Sequence, residues 1–196
     1  MRRVIFLGLA ALAISLHVQG SAAKPATPAP LPVAPSPKEC VVAPRPIERV
    51  AAILATPVAS PAGATPVPSA TASGEPADEQ TSLAVTDTLR QVFACTNAGD
   101  YLGVYSLFSD RFLREFFAGT PLTAEVAAFL SAPPQPLPAE QQRIIRALGP
   151  VYLLPDGRAQ IRIILDEPDD PRTEEPDDVF LIEQEGRWLV DEIHEH

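Results

Sequence analysis

Proline is crowded into one part of this sequence. Thirteen of the 23 prolines in the 196-residue chain lie between residues 24 and 79. Proline fixes the backbone angle φ and removes an N–H donor, so a stretch this rich in it cannot form regular helices or sheet ladders freely. We therefore predict a disordered Pro/Ala-rich linker over residues 24–79, and a folded domain over residues 80–196.

The first 23 residues have the layout of a secretory signal peptide. Arg2 and Arg3 precede an almost unbroken apolar run over residues 4–18, and small residues follow up to Ala23. The run is shorter than the ~20 residues that span a bilayer, which favours a cleaved signal over the alternative, an uncleaved anchor. The sequence predicts cleavage near Ala23, a secreted or extracytoplasmic location, and no stable membrane insertion.

Residues 39–56 differ from the linker around them. Pro46 suits the first turn of a helix, and an apolar stripe follows at helical spacing, formed by Ile47, Val50, Ala51 and Leu54. A helix this short is marginal alone in water. Two interpretations remain, a segment that docks on something and a transient helix inside a stalk, and we favour the second.

Cys40 and Cys95 are the only cysteines of the chain. Both would remain after export, and an oxidising compartment permits a disulfide between them. The alternative is two unpaired thiols, because sequence alone does not show that the two Cα atoms approach each other. Both possibilities stay open at this point.

The domain reads as helices followed by strands. Apolar residues at helical spacing predict one helix from about residue 80 to the Asn97-Ala98-Gly99 stop, an aromatic-rich second helix over 101–117 with a break near Ser109, and a third over 123–130. Strands are predicted over 144–154, 158–165, 179–183 and 188–193, with turns at 155–157 and 185–186. Helices followed by an antiparallel sheet make an α+β fold.

The order of three motifs resembles the nuclear transport factor 2-like superfamily, which includes the SnoaL-like and ketosteroid isomerase-like domains. These motifs are an opening helix, then NAGDYLGVYSLFSDRFLRE, then a meander ending in EGRWLVDEI. The resemblance covers residues 80–196. It implies a strongly bent, cone-shaped antiparallel sheet around the helices, an apolar pocket, and frequent homodimers through the sheet. Because the superfamily contains enzymes, ligand carriers and interaction modules, it does not fix a function.

Enzymes of this superfamily place a carboxylate, often with His or Tyr, inside the cone, and this chain departs from that pattern. His194 and His196 lie at the extreme C-terminus, while Asp110 and Asp166 read as a helix cap and a strand end. We therefore assign no catalytic residue, no metal site and no cofactor. The residues expected to line the pocket are Tyr101, Tyr105, Phe108, Phe112, Tyr152 and Trp188, with plain core packing as the alternative for each tyrosine.

The excess of acidic residues argues against nucleic acid as a partner. Residues 80–196 hold 9 Lys and Arg against 20 Asp and Glu, with no basic cluster for a phosphate backbone, so nucleic acid is not expected. The acidic run over residues 166–178 lacks the glycine and spacing of a calcium loop, and we interpret it as an extended solvated loop. The sequence favours an exported, non-catalytic domain that binds a small apolar ligand or a protein. The alternative is an isomerase, dehydratase or cyclase acting on a small apolar substrate.

Overall fold

The computed structural model describes residues 34–56, 74–166 and 175–196. The predicted signal peptide, residues 24–33 and 57–73 of the predicted linker, and the centre of the acidic run lie outside these residues. The described part is an α+β fold in which five α-helices precede or pack against a five-stranded antiparallel sheet. The helices are α1 (Ile47–Ala55), α2 (Glu79–Ala98), α3 (Tyr101–Ser106), α4 (Asp110–Phe116) and α5 (Ala124–Leu130).

Helix α2 is the central helix of the domain. Asp78 caps its first turn by accepting a hydrogen bond from the amide of Thr81 at 2.7 Å, and the helix ends at Gly99, where φ is +69°. A side chain at Gly99 would also bring its Cβ to 2.3 Å from the carbonyl oxygen of Gln135. The predicted stop is therefore confirmed, and it is also the point where the loop after α5 packs on the helix end.

The region predicted as the second helix forms two helices, α3 and α4, and Ser109 lies between them. Ser109 is the N-cap of α4 and accepts a hydrogen bond from the amide of Phe112 at 2.9 Å. Its own amide bonds the carbonyl of Val190, and the amide of Val190 bonds the carbonyl of Leu107. Residues 107–109 thus form a short parallel bridge along the last strand, which is why one continuous helix cannot run through this point.

The sheet is a simple antiparallel meander. Its strands are β1 (Glu75–Pro76), β2 (Ile144–Leu153), β3 (Ala159–Asp166), β4 (Asp177–Gln184) and β5 (Arg187–His194), paired in that order. Val151, Ile161 and Val179 lie opposite one another on the face that packs against the helices. The register shifts within β2 and again on β5, where Asp191 is the extra residue between Val190 and Glu192.

Residues 34–56 are part of the packed structure, which corrects our preference for a transient helix inside a stalk. Val50 and Ile53 of α1 are buried in the common core, at 0% and 3% exposure. Arg45 donates to Asp110 of α4 at 2.6 Å and to the carbonyl of Phe108 at 2.8 Å. Burial of two branched apolar side chains and paired charges gives this short helix the stabilisation that it lacks alone.

The structure joins Cys40 and Cys95 by a disulfide. The bridge ties residues 34–56 to the buried side of α2, since Cys95 has no exposed surface. Strand β1, also inside the predicted linker, pairs with β2 through Glu75 and Pro76. The expectation of an extended or disordered chain over residues 24–38 and 58–79 was therefore wrong for residues 34–38 and 74–79. No helix among the described residues is long and apolar enough to cross a membrane.

Candidate functional site: an aromatic cluster on three helices

Five aromatic rings of α3 and α4 and their flanking residues touch one another in a closed circuit. Ring centroids are 4.8 to 6.4 Å apart around it, and three of the five contacts are edge-to-face within 20° of perpendicular. Such contacts stabilise a pair beyond the area that it buries. We call this set the aromatic cluster, and its members are Tyr105, Phe108, Phe112, Phe116 and Phe117.

The aromatic cluster runs from the core to the surface. Tyr105 and Phe108 are each 8% exposed, whereas Phe116 is 61% exposed. A second pair lies beside it, in which the rings of Tyr101 and Phe129 are 5.5 Å apart, and Phe129 is 62% exposed. Large exposed aromatic side chains are costly to solvate, and when they adjoin a buried cluster they mark a surface that contacts something apolar.

The chain that follows α4 is almost free of charge. From Phe116 to Ala139 the sequence contains one charged residue, Glu125, although Asp and Glu number 25 in the whole chain. Helix α5 and the loop after it supply this region, which we call the charge-poor face, residues 116–139. A neutral surface on an acidic protein favours neutral, apolar ligands over charged ones, because no salt bridge repays the desolvation of a charge there.

Tyr105 is the polar group of the aromatic cluster. Burial, with a smaller contribution from nearby Tyr101, raises the pKa of Tyr105 to about 12. The hydroxyl is therefore protonated at neutral pH and can donate a hydrogen bond, but it cannot act as a phenolate base. This chemistry suits orientation of a ligand better than proton abstraction.

The predicted pocket residues separate into three groups. Tyr101, Tyr105, Phe108 and Phe112 lie close together, in the cluster and its neighbouring pair, and their lining of a pocket stays a prediction. Trp188 packs on the helix-facing side of β5, where its carbonyl accepts from the Thr88 hydroxyl at 3.2 Å. Tyr152 was placed wrongly in the interior. It pairs with Gln160 on the other face of the sheet and is 36% exposed, because its neighbour Val151 occupies the inner position.

Three of the rings, those of Phe116, Phe117 and Phe129, were not among the predicted site residues. Phe117 lies at the end of α4 and its ring meets Tyr105 edge-on at 5.4 Å, and Phe129 lies on α5. Phe116 belonged to the predicted apolar stripe, but not to the predicted pocket. The signal that could have found them is the absence of charge over residues 116–139, which is unusual in so acidic a chain.

The two buried carboxylates of the described residues are paired with arginines. One of them, Asp191, adjoins the aromatic cluster, because its partner Ser109 also caps the amide of Phe112. Asp191 accepts from the Arg111 guanidinium at 2.6 Å and from the Ser109 hydroxyl at 2.5 Å. Asp178 is held by Arg162 at 3.0 Å, and this partner keeps the pKa of Asp178 below its usual range. Both groups act as structural anions that join β5 to α4 and β3 to β4.

An open groove of about 590 Å³ lies elsewhere, along the N-terminal half of α2. Leu83, 64% exposed, and Ala84 form its apolar floor, and Glu79 and Asp87 flank it. It shares no residue with the predicted pocket. Among the residues that the structure describes, no group of three or more His, Cys, Asp or Glu is arranged to hold a metal ion.

Comparison with family models, with curated proteins and with solved structures found no match to this chain.

Proposed function

We propose that this chain is an exported, non-catalytic binding domain that holds a small apolar ligand against the aromatic cluster. The observation that carries the proposal is the closed circuit of five rings. It includes the buried ring of Tyr105 and the exposed ring of Phe116, which lies on the charge-poor face. Ligand sites combine an apolar, aromatic lining with a few polar groups that fix orientation. The protonated hydroxyl of Tyr105 supplies such a group.

The fold proposed for this domain is the cone of the nuclear transport factor 2-like superfamily. The order of elements supports it, with helices first and an antiparallel meander after them. The tight turn between β4 and β5 also supports it, since Glu185 and Gly186 both have positive φ and lead into Trp188. In that fold the helices would fill the concave side of the sheet, and the rings would lie at its opening.

Export and pairing of two copies belong to the same proposal. A disulfide between Cys40 and Cys95 is the kind of bond that persists in an oxidising compartment, which supports an extracytoplasmic location. Homodimers would form through the outer face of the sheet, where Arg158 covers the Phe180 ring at 5.0 Å. Native mass spectrometry of the purified protein measures the number of copies directly.

The enzyme alternative requires an acid or base beside the bound substrate. Among the described residues, the ring contacts of Tyr105 are to other aromatic side chains, and the buried acids Asp178 and Asp191 bond arginines instead. The Arg162 partner keeps the pKa of Asp178 below its usual range, which makes that carboxylate a weak base. The described geometry thus favours binding over proton transfer.

Binding of the neutral dye Nile red tests the proposal. We expect fluorescence to rise on titration, and the double substitution Phe116→Ser with Phe129→Ser to weaken binding about tenfold, because each exposed ring contributes roughly 0.5–1.5 kcal/mol. Both positions are exposed, so the variant should fold. Leu83→Ser is the matched control, since Leu83 is equally exposed but lies on the α2 groove.

Two results would contradict this site. Loss of dye binding in the Leu83→Ser variant, with the phenylalanine variant unaffected, would place the ligand in the α2 groove. Equal binding in all three proteins would remove the aromatic cluster from the proposal. Native mass spectrometry of the protein purified from its own host then identifies any small molecule that it carries.

A further inference from the structure

The described chain begins beside the charge-poor face. Pro35 is buried, and its carbonyl oxygen accepts a hydrogen bond from the side-chain amide of Asn97 at 3.0 Å. The backbone carbonyl of Asn97 in turn accepts from the amide of Leu137 at 2.8 Å. The chain that precedes Ala34 therefore joins the domain next to the loop that forms one end of the charge-poor face.

The flanking pair of rings lies near the same place. Asp100 caps α3 by accepting from the amide of Gly103 at 2.8 Å, and Tyr101 is the first residue of that helix. The ring of Tyr101 contacts Phe129 on α5. Only three residues separate Asn97 from Tyr101, so the chain leaves the buried Pro35 close to the partly exposed ring of Tyr101.

The ten residues before Ala34 have the chemistry that aromatic surfaces bind. Residues 24–33 read KPATPAPLPV, with four prolines and one charge. Proline-rich segments dock on aromatic-lined surfaces in the polyproline II conformation, which has few states to lose on binding. Ten residues in that conformation reach about 31 Å. The path from Tyr101 to Phe116 is shorter, since Tyr101 lies one helical turn before Tyr105, and the rings of Tyr105, Phe117 and Phe116 follow at 5.4 and 5.1 Å.

We propose that residues 24–33 bind across the aromatic cluster and the adjoining Tyr101–Phe129 pair of their own chain, and compete there with the apolar ligand. This inference rests on the proposed function, because both occupants use Phe116 and Phe129. A tethered segment has a high effective concentration, so even weak intrinsic affinity occupies the surface for much of the time. The apparent affinity for an apolar ligand is then reduced, because only the fraction of molecules in which residues 24–33 leave the surface uncovered can bind it.

Fluorine NMR of the full chain, labelled with 4-fluorophenylalanine, tests the contact. The resonances of Phe116 and Phe129 are assigned with the single variants Phe116→Leu and Phe129→Leu. Replacing Pro25, Pro28, Pro30 and Pro32 with Ser is expected to shift both resonances and to tighten Nile red binding several-fold. The resonance of Phe180, which lies under Arg158 on the other side of the sheet, should not move.

The chain offers a matched control in its second proline-rich stretch. Replacing Pro57, Pro61, Pro66 and Pro68 with Ser changes the same number of prolines and should leave both resonances and the dye affinity unchanged. Added in trans, a synthetic peptide with the sequence KPATPAPLPV should return the resonances of the first variant toward their original positions.

Three outcomes would overturn the inference. They are unchanged resonances in the first variant, an equal shift in both proline variants, and a shift that depends on protein concentration, which would assign the contact to a second copy. If the resonances do not respond while dye binding still needs Phe116 and Phe129, only this inference fails. If dye binding does not need those rings, the proposed function fails.

Discussion

Asn97 connects three distant parts of the chain through one buried side chain. Its amide nitrogen donates to the carbonyl oxygens of Pro35 at 3.0 Å and Arg143 at 3.1 Å, and its amide oxygen accepts from the amide of Arg143 at 2.8 Å. The side chain has no exposed surface. Asn97 thus holds together the end of α2, the chain at Pro35 and the residue that precedes β2.

Replacing Asn97 should therefore destabilise the whole domain. Asn97→Ala leaves the buried carbonyl of Pro35 and the partly buried amide and carbonyl of Arg143 without this partner, and we expect a loss of about 3 kcal/mol in the free energy of unfolding. Urea denaturation followed by circular dichroism measures it. Thr96→Ala is the neighbouring control, since its hydroxyl bonds only the carbonyl of Val92 one turn back, and it should cost less than about 1 kcal/mol. Equal losses in the two variants would contradict this role.

At the scale of elements, α1 is fastened by several independent contacts. The disulfide is one, the ion pairs of Arg45 and Arg49 with Asp110 are another, and burial of Val50 and Ile53 is a third. Because these contacts lie at different points of residues 34–56, loss of one should not release the segment.

The double substitution Cys40→Ala with Cys95→Ala separates these contributions. The bridge closes a loop with a sequence separation of 55 residues, and the chain-entropy account predicts a loss of up to about 4 kcal/mol in the free energy of unfolding. We expect α1 to keep its hydrogen-exchange protection under native conditions, since Val50 and Ile53 remain buried. Exchange of α1 at the rate of an unfolded peptide would show that the disulfide alone holds it. Wild type treated with a reductant is the control for the substitutions themselves.

The sequence predicted the elements whose signals are local. Alternation of Ile161, Ile163 and Leu165 marks β3, the turn at Asp156-Gly157 marks its start, and Gly99 marks the end of α2, and all three are found where expected. Docking of α1 was considered but not favoured, because the partner of Arg49, Asp110, lies 61 residues further along the chain. Strand β1 has only two residues, too few to show any alternation.

The candidate site was predictable in part for the same reason. Tyr101, Tyr105, Phe108 and Phe112 follow helical spacing on one stretch of sequence, so their proximity could be read directly. Phe129 reaches them only through the packing of α5, which no local pattern encodes. The superfamily assignment, which rests on the order of motifs, stays a prediction, as does the function drawn from it.

At the scale of the whole molecule, charge is unevenly arranged. The chain has a formal net charge of −10 at pH 7, yet several carboxyls are held in favourable pairs. A hydrogen bond from Arg90 lowers the pKa of Glu39, and one from a backbone amide at the start of α2 lowers the pKa of Asp78. Arg162 lowers the pKa of Asp178 in the same way.

These carboxyls predict that stability falls in acid. Each has a lower pKa in the folded chain than its unfolded value of about 4, so the unfolded state binds more protons, and the stabilisation is lost as pH drops below about 4. Between pH 7 and 5, neutralising part of the negative charge raises stability, because it relieves repulsion within the compact state.

We therefore expect the free energy of unfolding, measured in urea, to change little or rise slightly down to pH 5 and then to fall between pH 4 and 2. Asp178→Asn should be less stable than wild type at pH 7 and should show a shallower acid decline, because the substituted amide cannot take up that proton. A stability that kept rising to pH 3 would mean that general repulsion, and not the paired carboxyls, governs this molecule.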